Sequence, residues 1–308
     1  MFGFLVIDKP AGITSRTALN AVSAIVKPAK AGHAGTLDPL ATGVLVLCIG
    51  PATRLVGLVQ GMHKKYRARF RVGFESETED LGSPLVPVAD ARPIFEDDLL
   101  RVLRQFEGKI SQKPPRYSAL RMHGRRAYDL ARAGRSFELA PREVSIDSIQ
   151  LIEFDGQEFE LDIVCGSGTY IRSLGRDIGR ELGCGAVMTS LRRTEIGAFR
   201  LEDAVDVRSW NLDAQPDPVS QHLISPKVAL VRGLGLPEAE LCDDDLKDLW
   251  HGRRLKSFSE RFSAVAASSH TSVMGVDRGG RLMAIFRRDQ DSNELSVDIS
   301  FARYWLPN

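Results

Sequence analysis

The sequence predicts an α+β protein, and three of its stretches carry that reading. Residues 44–49 (Val-Leu-Val-Leu-Cys-Ile) are an unbroken apolar run with β-branched members, bounded by Gly43 and by Gly50-Pro51. That is the pattern of a strand buried on both faces. Residues 64–72 alternate, with Lys64, Tyr66, Ala68, Phe70 and Val72 on one side and Lys65, Arg67, Arg69 and Arg71 on the other, the period of a strand. Ile171, Leu174, Ile178 and Leu182 recur instead at helical spacing, and Gly183 stops the helix.

In chain order, an apolar strand over 2–7 ends in the turn Asp8-Lys-Pro-Ala-Gly. Thr14 or Ser15 caps a helix reaching about Val26, and Lys27-Pro28 ends it. A second helix is expected over 52–59, an acidic loop over 75–82, and a helix over 96–106 with Leu99, Leu100, Leu103 and Phe106 inward. Residues 143–153, 159–164 and 186–194 read as strands. Residues 208–226, rich in Asp, Pro, Gln and Ser, are expected to link two units, and 257–272 to form a mobile loop. Beyond the link come a helix near 244–250 and three short strands, two of them joined by Asp277-Arg-Gly-Gly, which suggest a small β-barrel.

With 308 residues, 43% hydrophobic and 26% charged, the chain has the composition of a globular protein with room for a large and a small unit. Its net charge of +1 leaves nucleic-acid binding to local clustering. Such clusters exist. Residues 109–142 hold nine basic residues against Asp129 and Glu138, and residues 64–72 hold five with a tyrosine among them. Each has two readings, a solvated charged surface (for 64–72, a solvated edge strand) or a grip on RNA phosphates and bases. The four cysteines lie far apart without a Cys-x-x-Cys pair, so neither a zinc site nor a disulfide framework is expected, and reduced thiols fit the cytoplasm. Neither a signal peptide nor a membrane span is expected. Walker, Rossmann, His-Glu-x-x-His and Gly-x-Ser-x-Gly patterns are missing, which removes support for nucleotide hydrolases and standard serine hydrolases.

One carboxylate stands out. Asp38 lies in Gly32-His-Ala-Gly-Thr-Leu-Asp-Pro-Leu-Ala-Thr-Gly, a polar turn fused to the buried run at 44–49. An Asp before Pro is ordinarily a turn former, but a polar turn on a stiff strand is also how a reactive side chain is supported. Arg172, in the first turn of its helix after Gly166-Ser-Gly-Thr-Tyr, is a surface arginine or an ion-pair partner.

Several fragments occur together and in order: Asp8-Lys-Pro-x-Gly-x-Thr-Ser, Gly32-His-x-Gly-Thr-Leu-Asp-Pro-x-Ala-x-Gly-Val-Leu, Lys64-Lys-Tyr, Pro115-x-Tyr-Ser-Ala-Leu, Gly168-Thr-Tyr-Ile-Arg and Leu191-Arg-Arg. In these the chain closely resembles the TruB family of tRNA pseudouridine synthases, over roughly residues 2 to 205. The resemblance implies a mixed, mainly antiparallel sheet flanked by helices. It places a catalytic unit at 1–228, with a basic RNA-gripping arm at about 112–135, and a small PUA-like domain at 229–308. It implies isomerisation of uridine 55 in the tRNA T-loop by base flipping, without cofactor or metal. A monomer acting on the T-arm, needing neither protein partner nor guide RNA, is expected.

Residue by residue, the resemblance makes Asp38 the nucleophile and Arg172 its cationic partner. Tyr66 becomes the ring that stacks on the target base and accepts its C5 proton. His33 displaces the base from its stack, while Lys9, Tyr170 and Leu191 line the pocket. Arg125 and Arg126 belong to the arm. Two neighbouring readings remain at this stage: the guide-dependent branch of the superfamily, against which the arm and the missing basic tail argue, and an RNA chaperone.

Overall fold

In a computed structural model of the chain, the described residues are 1–118, 120–122, 125–207, 210, 217–253, 255, 262, 271–289 and 295–305; for Arg121, Met122, Arg125 and Arg126 the backbone alone is described. The first half comprises β1 (Gly3–Lys9), α1 (Ser15–Ile25), β2 (Ala31–His33), β3 (Thr42–Ile49), α2 (Val56–Gly61), β4 (Lys64–Val72), β5 (Phe74–Glu75), β6 (Val86–Pro87), α3 (Glu96–Leu103) and β7 (Gly108–Gln112). Then come β8 (Arg121–Met122), β9 (Arg125–Arg126), α4 (Ala127–Arg132), β10 (Arg142–Phe154), β11 (Glu158–Cys165), α5 (Ile171–Glu181), β12 (Ala186–Ile196) and β13 (Phe199–Arg200). The chain closes with α6 (Pro226–Leu234), β14 (Glu238–Glu240), α7 (Asp243–His251), β15 (Ser272–Val276), β16 (Leu282–Arg288), β17 (Leu295–Ser300) and a last helical turn.

The main sheet runs β1-β3-β12-β4-β11-β10-β7, with β2 on β3 and β13 on β12. Every pairing is antiparallel except β3 with β12, so the expected mixed, mainly antiparallel α+β architecture is borne out. Apolar run 44–49 is buried throughout, as its composition requires. One face of the sheet packs Tyr66, Ala68, Phe70 and Leu161 against α1, α3 and α5. In α3 it is Val102, with Leu99 and Leu103, that points inward; Leu100 is only half-buried.

The opposite face of β1 and β3, through Phe4, Val6, Val44 and Val46, shares a core with Met274, Leu282 and Ile285 of the C-terminal strands and with Phe301, just after β17. Those strands form a four-stranded sheet in the order β14-β15-β16-β17, with β14 parallel to β15. Among the described residues no pairing closes it into the expected barrel.

Two expectations are corrected. Strand β4 is not an edge strand: it sits between β12 and β11. Its cationic side is not free for phosphate either, because Arg67 pairs with Asp162 (2.9 Å), Arg69 with Glu160 (3.0 Å) and Arg71 with Glu158 (2.9 Å), acids of the neighbouring β11. Tyr66 lies on the other, buried face. Where it is described, the chain around 208–226 is tied to the sheet. Val205 bonds β1 at Val6 and Asp8, and Ile224 exchanges two backbone bonds with Phe4, so the chain seals the outer edge of β1. Residues 208, 209 and 211–216, and most of the loop expected at 257–272, lie outside the described residues. Helix α6 runs across position 228.

Candidate active site

Asp38 sits in the turn between β2 and β3, and this turn is held from every side. Buried Ser15, the first residue of α1, accepts from Leu37 N (2.8 Å) and donates to Leu37 O (3.0 Å). Gly12 N donates to Pro39 O (2.8 Å), and Ala41 N to Asp38 O (3.0 Å). The fully buried Lys9 ammonium donates to the carbonyls of Pro10 (2.8 Å), Ile13 (2.9 Å) and, more weakly, Pro39 (3.4 Å). Burial lowers its pKa to about 8, with the nearby Asp38 charge pulling the other way. Gly43, the second residue of β3, has φ +99°, and a Cβ there would meet Arg193 O at 2.2 Å. The parallel contact of β3 with β12 therefore requires glycine.

The Asp38 carboxylate, 37% exposed, pairs through Oδ2 with Arg172 Nε at 2.9 Å. Arg172 enters from the first turn of α5 and is 5% exposed. Its other nitrogens donate to Thr78 O (2.7 Å) and Tyr117 O (3.0 Å), and Asp80 lies 3.6 Å from Nε. The guanidinium is thus fixed on all sides. Asp80 accepts from Gly82 N (2.8 Å). Neighbouring Glu79, in the left-handed region at φ +62°, accepts from Ser173 Oγ (2.7 Å) and pairs with Arg176. Burial raises the Glu79 pKa, opposed by Arg176, Ser173 and Arg172.

Tyr66 is buried and feels both the Asp38 charge and the Arg193 guanidinium; burial raises its phenol pKa, and Arg193 opposes that rise. Leu191 is buried on β12 opposite Ala68. His33, on β2, keeps a buried Nδ1 without a hydrogen-bond partner. Burial first, then the Arg16 and Arg193 charges, lower its pKa, so it is neutral at pH 7. Tyr170 has its backbone clamped by buried Gln112, which donates to its O (3.1 Å) and accepts from its N (2.8 Å), and its ring lies under Arg142 at 4.9 Å.

Asp38, Arg172, Tyr66 and Lys9 are therefore brought together. His33 lies on the strand leading into the same turn, and Tyr170 directly precedes the Arg172 helix. The side chains of Arg125 and Arg126 lie outside the described residues; their backbones form β9, paired with β8. Around them, Arg132 stands over the Tyr128 ring at 5.5 Å and Arg116 over Phe137 at 5.4 Å. Sequence reasoning missed Ser15, Asp80, Gln112 and Arg193. For Arg193 a signal existed: it is two residues after Leu191 and shares its face. Asp80 had none, being one acid among several in a loop. Among the described residues no group of three or more His, Cys, Asp or Glu could hold a metal ion, and no helix is long and apolar enough to cross a membrane.

Comparison with known proteins decides the family. The family described as TruB family pseudouridylate synthase (N terminal domain) matches residues 23–171, and the tRNA pseudouridylate synthase B C-terminal domain matches 172–215. The tRNA pseudouridine synthase B of Chromobacterium violaceum is 40% identical over 292 residues, covering 92% of this chain and 93% of that protein. The chain belongs to the TruB family. It is an isomerase, as pseudouridine synthases are. A second TruB relative, from Bordetella avium, is 45% identical over 70% of this chain and 88% of its own length. Among solved structures, a chain from the crystal structure of a Cbf5-Nop10-Gar1 complex has the same fold, with TM-score 0.69 at 24% identity, covering all of this chain and 87% of that one.

Proposed function

We propose that this TruB-family isomerase converts uridine to pseudouridine at position 55, in the T-loop of tRNA, with Asp38 as nucleophile and without cofactor or metal. The observation that carries the proposal is the 2.9 Å Asp38–Arg172 pair, with one face open to solvent and the Tyr66 ring in the same site. The reaction breaks the N1–C1′ bond, turns the uracil and joins C5 to C1′; C5 gives up a proton and N1 gains one. It needs an ionised nucleophile, which a carboxylate supplies when a fixed cation holds it. Flipping the uridine costs a few kcal/mol, and stacking on the Tyr66 ring returns about 1–3 kcal/mol. The Tyr66 hydroxyl then relays the C5 proton, accepting it as its own O–H proton passes to solvent.

His33, with its unpartnered Nδ1, meets the tRNA as the base leaves its stack. Lys9, Tyr170 and Leu191 shape the pocket, and the segment near 112–135, with Arg125 and Arg126, grips the T-arm backbone. Residues 1–228 carry the chemistry and 229–308 form a PUA-like accessory unit. The enzyme acts in the cytoplasm as a monomer, without protein partner or guide RNA.

Tritium release from tRNA labelled at uridine C5 tests the proposal. Asp38→Asn is expected to release none, and a tRNA lacking uridine 55 to release none with the native enzyme. Tyr66→Phe is expected to bind tRNA within about twofold of wild type, since the ring face is kept, while turnover falls at least tenfold. Release by Asp38→Asn at the native rate sinks the nucleophile assignment.

A further inference from the structure

Arg193 is 1% exposed, yet among the described residues it forms no ion pair, unlike Arg172 and its neighbour Arg192, which pairs with Asp8 at 2.8 Å. Sinking a guanidinium without a carboxylate is expensive. The compensation consists of carbonyls: Nε donates to Val44 O (2.8 Å), Nη1 to Thr36 O (3.4 Å) and Nη2 to Gly35 O (3.4 Å). The two longer bonds go to the turn that carries Asp38. A guanidinium has five N–H groups, so two are left after these three. On the adjacent strand, Tyr66 is the register partner of Arg193 and is buried on the same side of the sheet, so the guanidinium charge acts on its phenol. Gly35 has φ +102°, and a Cβ there would lie 3.6 Å from Arg193 Nη1.

We infer that Arg193 is a positioning residue that fixes the Tyr66 hydroxyl against the turn carrying Asp38. It touches no reacting atom. It sets where the phenol oxygen sits and leaves the phenol proton as the one free donor or relay. This rests on the assignment of Asp38 and Tyr66 made above. It goes further, because a strap for the turn alone would need only the carbonyl bonds and would leave Tyr66 indifferent to Arg193.

The test uses full-length protein with tyrosine 13C-labelled at the ring carbon bearing the hydroxyl. Five tyrosines give five signals, and the Tyr66 signal is assigned by its loss in Tyr66→Phe. In Arg193→Met the Tyr66 signal is expected to move while the other four stay. Single-turnover conversion of tRNA is expected to fall about tenfold or more at unchanged tRNA affinity, as loss of a hydrogen bond to a charged group predicts. Arg193→Lys, which keeps the charge but not the fork, is expected to recover part of that rate. An unmoved Tyr66 signal, or a rate within about twofold of wild type, overturns the inference. So does a shift of all five signals together, which marks general loosening. Asp38→Asn separates the two levels. If it stays active, the proposed function fails whatever Arg193 does; if it is inactive and Arg193→Met is native-like, the inference alone fails.

Discussion

At the scale of the residue, the site joins an anion open to water with a cation sunk beneath it. Asp38 gives 37% of its side chain to solvent, and Arg172 only 5%. The geometry is therefore set from the arginine side, by the carbonyl of Thr78, outside every quoted motif, and that of Tyr117, whose motif does not announce it as an acceptor. Lys9 makes a pH-dependent contribution. Its pKa in the fold is about 8, lowered by burial from an ordinary 10.5. Between those values the unfolded chain holds a proton that the folded one has released, so this group makes stability rise with pH there. The ammonium that clasps the turn is lost over the same range. Activity is thus expected to decline as pH passes about 8 without a matching loss of stability. Single-turnover rates between about pH 7 and 9.5 check this: Lys9→Met should be slower at neutral pH and should lack the alkaline decline. Lys9 and Asp38 were legible in the sequence as motif members. That Lys9 is wholly buried was not, since the groups around its ammonium include Pro39 of the Asp38 turn, 30 residues away.

At the scale of the element, the strands themselves were legible because periodicity is local. Residues 44–49 and 64–72 declared their type by composition and alternation. Their neighbours did not, since pairing is settled across long separations; Thr189 of β12 bonds Arg69 of β4, 120 residues away. Hence a strand with five cations looked like an edge or an RNA grip, when acids on β11 were waiting for it. The β3–β12 contact gives a direct test. Gly43→Ala combines an unfavourable φ with a backbone clash at 2.2 Å, and is expected to cost more than about 2 kcal/mol in denaturant unfolding. Gly57→Ala, at an exposed position of α2 with nothing within 4 Å, is expected to be neutral or stabilising by up to about 1 kcal/mol.

At the scale of the whole molecule, a net charge of +1 conceals two kinds of basic surface. On β4 the arginines are matched by acids of β10 and β11; in the segment near 112–135 few acids are present. Replacing Arg69 by Ala is therefore expected to leave tRNA affinity within about twofold and its salt dependence unchanged. Neutralising Arg125 and Arg126 together is expected to reduce the slope of log affinity against log salt by roughly 2. Titrations at several salt concentrations distinguish them, and equal slopes for both variants would remove the arm from the binding account. A two-unit division was suggested by composition. The shared core of Phe4 and Val46 with Phe301 was not, because an apolar strand face does not declare which partner covers it.

The backbone bonds at Val205 and Ile224 along β1 bear on how the chain can be cut. A fragment ending before them would keep every residue assigned to the chemistry and yet expose a raw, apolar sheet margin. Such a margin recruits other strands, so trimming the enzyme to its reactive half invites clumping rather than a smaller catalyst.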